Sequence, residues 1–415
     1  MSPAKQVKPI SAVQSFGLFL VVCATTAVLP AQDIIMLAPQ APVLPSVLRD
    51  QLPPSPASMP QSPPETPYKF RGIIIHPSLN YSYTYAEGLP APDGRRIASE
   101  IHTVSAGLSA DLGEHWSLNY NPTWMNYTAR AMTDSFDQSA SLSGAITIRD
   151  LGLSFSESYS RATPTLVETG QQTRQESWGT SLSGSYSFSP KIQFQVSGGV
   201  NQRHTDIATD TRSWSSSAGL HLMISPRLNL NLGSTFGYSE IADAPDTYNN
   251  GYNAQLSWHP VDKLTLSLST GRQYTHSTSS AGLDLSSPLL NCNLGYQPFE
   301  TTTINLSAGR TVSPSYFKSQ ITEGLQRSIS LSQRLLGRYY LSASYSKADT
   351  DYLATDDLTT AGRKDTVKSF SAGLSTQLFG RLGVSATFSK TQNGSNASAF
   401  SFSSTQYGVR LSYSY

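Results

Sequence analysis

The sequence predicts an all-β fold: a single transmembrane antiparallel up-and-down β-barrel of about 18 strands, preceded by a disordered proline-rich leader. Three observations predict it. Charged residues make up only 14% of the chain, where about 25% is usual. The mean hydropathy of −0.27 is too low for a bundle of transmembrane helices. From residue 70 onward, apolar and small polar residues alternate with a period of two, which places them on opposite faces of a strand but not of a helix.

The first 31 residues have the order of a secretory signal peptide. Lys5 and Lys8 form a basic start, an apolar run follows from Phe16 to Val22, and small residues come next, with possible cleavage after Ala27 or Ala31. The apolar run is too short to cross a membrane. We therefore expect residues 1–31 to be a signal peptide.

Residues 32–69 are rich in proline, with ten prolines between Pro39 and Pro67. Proline removes amide donors and restricts the backbone, so this stretch is expected to be an extended, disordered periplasmic segment. It serves either as a plain leader or as a spacer that contacts the cell wall or a periplasmic partner.

Residues 70–415 repeat one hairpin pattern, in which short turns alternate with longer polar loops, such as residues 161–175, 240–250 and 347–365. The tetrapeptide Ser-Ala-Gly-Leu returns four times, at Ser105, Ser217, Ser280 and Ser371. A propeller also repeats at this spacing, but its blades contain four short strands. Here each unit holds two strands of roughly ten to thirteen residues, which suits a bilayer crossing. An even number of strands, with both chain ends on the short-turn side, is typical of a single-chain bacterial barrel.

The apolar face is expected to point outward. A barrel of about 18 strands is too wide to be filled by side chains, so its interior must be wet and its apolar face must meet lipid. Aromatic residues near both ends of the strands support this orientation, because rings collect at the two membrane interfaces. The predicted girdles contain Trp116, Trp124, Trp178, Phe188, Trp214, Tyr252, Trp258 and Tyr296.

The last strand carries a further signal. Tyr407, Val409, Leu411, Tyr413 and Tyr415 alternate up to the final residue. With this ending the chain resembles the bacterial outer-membrane β-barrel proteins, and among them the β-barrel porins. The resemblance implies an outer-membrane location, periplasmic N- and C-termini, recognition of the last strand by the barrel-assembly machinery, and passive diffusion of solutes. Tyr415 departs from the terminal Phe that is usual in such proteins.

No catalytic signature is found in the sequence. Phosphate-binding loops, His-Glu-x-x-His, paired Cys and Gly-x-Ser-x-Gly are all missing, and the seven histidines are too dispersed to hold a metal. We expect no enzyme activity and no cofactor. The net charge of +1 does not favour a nucleic-acid partner.

Few charged residues occupy the alternate strand positions that face the interior of the barrel, which we call the inward phase. Arg334 and Arg410 are the clearest of these residues. A Ser/Thr/Gln wall suits small, mostly neutral solutes, and porin-like diffusion is the predicted function. The alternatives are a conduit for polysaccharide export or secretion, and a structural or adhesive barrel without transport.

On the loop side, the alternate strand positions that face lipid end in basic residues. We expect them to contact outer-membrane lipids, in particular the phosphates of lipopolysaccharide, because such charges cost little near an interface. The alternative is that they only mark where strands leave the membrane, and Glu157, deeper on the same phase, counts against an anion-binding belt. The candidates are Arg130, Arg161, Arg212, Arg272, Arg310, Arg327, Lys368 and Lys390.

Overall fold

The computed structural model describes residues 68–70, 72–91, 95–166, 172–206, 209–242, 244–278, 284–315, 320–354, 362–378 and 380–414. The predicted signal peptide lies outside these residues, as does the proline-rich segment up to residue 67. The described part of the chain is almost entirely β-structure.

The described residues form nineteen strands in succession and one turn of 3-10 helix at Ser398–Phe400. They are β1 (Tyr68–Phe70), β2 (Ile73–Pro90), β3 (Arg96–Leu112), β4 (Trp116–Tyr127), β5 (Ser135–Ile148), β6 (Leu151–Ala162), β7 (Gln175–Ser189), β8 (Ile192–Thr205), β9 (Thr211–Ser225), β10 (Leu228–Ile241), β11 (Thr247–Val261), β12 (Leu264–Ser277), β13 (Asp284–Phe299), β14 (Thr302–Pro314), β15 (Gln320–Leu335), β16 (Tyr339–Ala354), β17 (Lys364–Leu378), β18 (Leu382–Ser395) and β19 (Phe402–Ser414).

Strands β2 to β19 form a closed antiparallel barrel. Each pairs with the next in sequence, and β19 returns to β2 with Tyr407 opposite Tyr85. The short strand β1 pairs with Ile73–Ile75 on the same edge of β2, beyond the last β19 pair, Ser414 with Ser78. The prediction of an 18-stranded up-and-down barrel is therefore confirmed.

Connections alternate between two lengths, as the sequence predicts. On one side two or three residues join the strands, and Gly113, Gly337 and Gly380 take positive φ angles of 72°, 70° and 74° in such turns. A side chain at these positions would be strained. On the other side five to twelve residues connect the strands. Three Ser-Ala-Gly-Leu copies lie on β3, β9 and β17, and the fourth, at residues 280–283, lies outside the described residues.

The strands are longer than predicted, at 12 to 18 residues in the closed barrel. The difference is largest at residues 347–365, which the sequence suggested were a loop. Instead β16 continues to Ala354 and β17 begins at Lys364. This extension is rich in charged residues, so polar side chains occupy both faces of its strands. Strands that project beyond lipid need no apolar face, and for that reason hydropathy does not reveal them.

The ladder between β13 and β14 stops halfway. Their pairing runs only up to Asn291 opposite Gly309, although both strands continue on the loop side. Pro288 lies in the part of β13 that does not pair with β14, and it has no amide hydrogen to donate. The two strands remain held there by their other neighbours, β12 and β15.

Candidate functional site: the two faces of the barrel wall

The wall has an apolar convex face and a polar concave face. Large apolar side chains on one phase are open, such as Leu182 at 56%, Phe188 at 64% and Tyr252 at 62% of their full exposure. Small polar side chains on the other phase are covered, including Ser185 at 7%. Side chains spread apart on a convex surface and crowd together on a concave one, so the apolar phase is the outside.

Aromatic side chains lie on this outer face near both ends of the strands, where the sequence predicts them. Trp124, Trp178 and Tyr252 are exposed on the loop side, and Trp116, Trp258 and Tyr296 on the turn side. Trp178 contacts Tyr159 with ring centroids 5.3 Å apart, and Trp214 stacks on Tyr238 at 5.4 Å. An apolar belt between two aromatic rims would be costly in water and matches a bilayer. The protein is a transmembrane β-barrel.

The inner face is built from serine and threonine hydroxyls that bond one another across strands. Ser154 and Ser183 lie 2.5 Å apart, Ser197 and Ser217 2.7 Å, and Ser344 and Ser371 also 2.7 Å between hydroxyl oxygens. Further pairs of this kind are Ser117–Ser143, Ser156–Ser181, Ser213–Ser239 and Ser307–Ser328. Short side chains keep the passage wide, and hydroxyls that satisfy one another carry no net charge into it.

Charged groups on the inner face lie near strand ends, with one exception among the described residues. Asp111, Asp137, Arg203, Arg334 and Asp365 each lie within three positions of a strand end. Both predicted lumen-facing residues are on the inward phase. Arg334 lies at the turn-side rim, where Nε and Nη2 donate to the Gly337 carbonyl at 3.1 and 2.8 Å.

Arg410 is the exception, since it lies four positions inside the turn-side end of β19. Its register partners are Ser82 on β2 and Ser385 on β18, and both are small and neutral. None of the described acidic side chains forms an ion pair with Arg410. The arrangement places one uncompensated positive charge against the passage.

Part of the inner face on the loop side is apolar, which the sequence analysis did not predict. Val367 and Phe402 are buried against each other with Ala348 beside them. The Arg363 guanidinium lies over the Phe400 ring at 3.6 Å and the Tyr352 ring at 4.5 Å, and it donates to both carboxylate oxygens of Asp365. This packing occupies the loop-side wall from β16 to β19. The isolated Val and Phe in an otherwise polar phase are its only sequence signal.

The eight basic candidates are not equivalent once their neighbours are known. Arg130 lies in the loop after β4, not on a strand. Two others have acidic partners: Arg161 Nε lies 3.8 Å from Glu176, and Arg310 pairs with Glu323 where β13 and β14 separate. Glu176 also accepts from Arg174, and this hydrogen bond raises the pKa of the Arg174 guanidinium.

The remaining candidates carry exposed charge on the outer face. Arg212 lies over the Trp214 ring at 4.7 Å, and Arg272 lies opposite Tyr252. Arg327, Lys368 and Lys390 lie on β15, β17 and β18. Glu157 is also outward and exposed, between Phe155 and Tyr159.

The predicted assembly signal forms the closing strand. Tyr407, Val409, Leu411 and Tyr413 of β19 face outward, and all four are exposed. Tyr415 lies outside the described residues. Recognition of this strand by assembly machinery remains a prediction.

The described residues contain neither a helical membrane span nor a metal-binding cluster. No helix there is long and apolar enough to cross a bilayer. Nor does any group of three or more His, Cys, Asp or Glu in that part of the chain have the geometry to hold a metal ion.

Comparison with known proteins gives structural neighbours only. No family model matches the chain, and no curated protein matches it. Among solved structures it is similar to the FrpB iron transporter from Neisseria meningitidis, at 11% identity and a TM-score of 0.49, over 77% of this chain and 63% of that one. It is also similar to OpdK from Pseudomonas aeruginosa with vanillate, at 12% identity and a TM-score of 0.48, over 82% and 99%. A third neighbour is OccAB3 from Acinetobacter baumannii, at 11% and 0.44, again over 82% and 99%. The chain thus spans less than two thirds of the length of FrpB.

Proposed function

We propose that this barrel is an outer-membrane channel for passive diffusion of small, mostly neutral solutes. The observation that carries the proposal is the inner wall of mutually bonded hydroxyls, in which Ser154–Ser183 and Ser344–Ser371 are typical pairs. A barrel of this strand number is wide enough to leave an aqueous passage. A wall with so little charge binds no ion tightly and presents a low barrier to neutral solutes.

The location and orientation are part of the same proposal. Single-chain barrels with an even strand number, short turns and longer loops are typical of the bacterial outer membrane, where the turns face the periplasm. Strand β1 and the end of β19 lie on the turn side, so both ends of the barrel domain would be periplasmic. Export of a charged polysaccharide is less favoured, since the described wall has no row of Arg and Lys to hold successive carboxylates.

Conductance in planar bilayers tests the proposal. Purified protein should give ohmic steps, and vesicles that contain it should swell in isotonic neutral sugars at rates that fall with sugar size. Two double variants put bulk on the inner face, namely Ser156→Tyr with Ser181→Tyr, and Ser344→Tyr with Ser371→Tyr. Each should reduce both the conductance and the rate of vesicle swelling. Ala343→Tyr with Ala372→Tyr adds the same bulk to the outer face and should leave them unchanged. A closed barrel without conductance or solute uptake would contradict a channel and favour a structural barrel.

A further inference from the structure

Three basic residues form a row across neighbouring strands on the outer face. Arg327 of β15 lies directly opposite Lys347 of β16, and Lys347 lies directly opposite Lys368 of β17. Side chains in such pairs are about 5 Å apart at Cβ, and like charges at that distance are destabilising. A row of three adjacent cations is therefore expected only where an anion offsets the repulsion.

Acidic side chains nearby do not supply enough negative charge. Asp349 lies 3.1 Å from Lys347 and accepts a hydrogen bond from Thr366, while Asp351 is paired with Lys364 at 3.3 Å. In the described part of the chain, neither Arg327 nor Lys368 has an ion pair of its own. Lys390 adds another positive charge one pair closer to the membrane centre, beside Phe370.

The height of the row places it at the level of lipid headgroups. One pair closer to the membrane centre, the outer face carries Ile329, Tyr345 and Phe370, all more than 40% exposed. Phe388 and Tyr407 continue this aromatic row, with centroids 5.2 Å apart. Aromatic rings mark the boundary of the hydrocarbon region. The cations next to it therefore lie where lipid phosphates are found.

We propose that Arg327, Lys347, Lys368 and Lys390 form a binding site for the phosphate groups of an outer-leaflet glycolipid. Arg327 offers a planar fork to phosphate oxygens, and the lysines act as point charges around it. The sequence did not identify Lys347 as a candidate, because residues 347–365 were expected to be a loop. The site rests on the outer-membrane placement proposed above, and it does not depend on conduction.

The test compares two triple variants with equal loss of charge. Arg327→Gln, Lys347→Gln and Lys368→Gln remove the row. Lys191→Gln, Lys263→Gln and Arg338→Gln remove three exposed cations from the turn side and serve as control. Each protein, and the parent, is placed in nanodiscs of lipopolysaccharide diluted in zwitterionic lipid, and glycolipid retained after detergent extraction is measured by native mass spectrometry. We expect the row variant to retain at least about tenfold less glycolipid and the control to match the parent.

Other outcomes overturn the proposal. Equal retention by the row variant and parent, or an equal loss in both variants, would show that the row is not a site. If phosphatidylglycerol is retained as well as lipopolysaccharide, and inorganic phosphate displaces both, the row is a general anion site. Because these side chains face away from the passage, conductance of the row variant should equal that of the parent, which separates this result from a failure of the channel proposal.

Discussion

The indole ring of Trp116 occupies the space above Gly144, its partner across β4 and β5. A β-carbon added at Gly144 would lie 2.5 Å from ring atoms of Trp116. The ring also contacts Phe155 at 6.0 Å between centroids. A residue of the turn-side aromatic rim is thus seated on a glycine of the next strand.

Substitution of Gly144 by Ala should therefore destabilise the barrel. The indole must move away, and overpacking of this kind costs about 1–3 kcal/mol. Gly184→Ala is the matched control on the same outer face, because its added β-carbon would meet Leu153 and Val196 at ordinary distances of 3.5 and 3.7 Å. Urea unfolding in lipid vesicles, followed by tryptophan fluorescence, measures the stability of both variants. Equal midpoints for the two variants would show that Trp116 adapts freely.

Arg410 should give the channel a weak preference for anions. A single charge beside a low-dielectric wall attracts counter-ions, so Arg410→Gln should remove the preference and Arg410→Glu should reverse it. Reversal potentials in a salt gradient measure this, and the effect should shrink in 1 M salt, where the screening length is about 3 Å. Arg334→Gln at the rim serves as control and should change selectivity less. Identical reversal potentials for Arg410→Glu and parent would place Arg410 away from the ion path.

Glu157 should be a destabilising residue in a bilayer. It faces outward between Phe155 and Tyr159, one position inside the Tyr159–Trp178 aromatic pair. Replacement by Leu should raise the free energy of unfolding in vesicles by about 1 kcal/mol, since acidic side chains near the interface cost little more. Glu157→Gln, which removes only the charge, should fall between Leu and the parent. A loss of stability in the Leu variant would mean that this position meets water.

Arg363 should stabilise the loop-side wall through Asp365. Their side chains are only 12% and 2% exposed, and removal of one partner from a buried pair costs about 3–5 kcal/mol. Arg363→Gln should therefore speed hydrogen exchange around Tyr352 and Val367. The double variant with Asp365→Asn should be less destabilised than the single one, because no buried charge remains unpaired. Additive effects would show that the two groups do not interact.

Period-two alternation was enough to predict the number of strands, the two faces and the aromatic rims, but not the full length of the strands. These properties are local, because each residue's side of a strand depends only on its position in that strand. The strand number and the side of each connection follow in the same way. Arg334 and Arg410 could be placed on the inner face from parity alone, and Glu157 on the outer face.

Only the tertiary structure decided which residues of different strands meet. Register depends on how each strand slides against its neighbours, and a shift by one residue would exchange the faces. The row of Arg327, Lys347 and Lys368, the seat of Trp116 on Gly144 and the pairing of Arg310 with Glu323 all depend on it. The sequence by itself determined what each face of the wall is made of, and barrel closure decided which side chains act together, because pairing between strands is a property of the whole sheet.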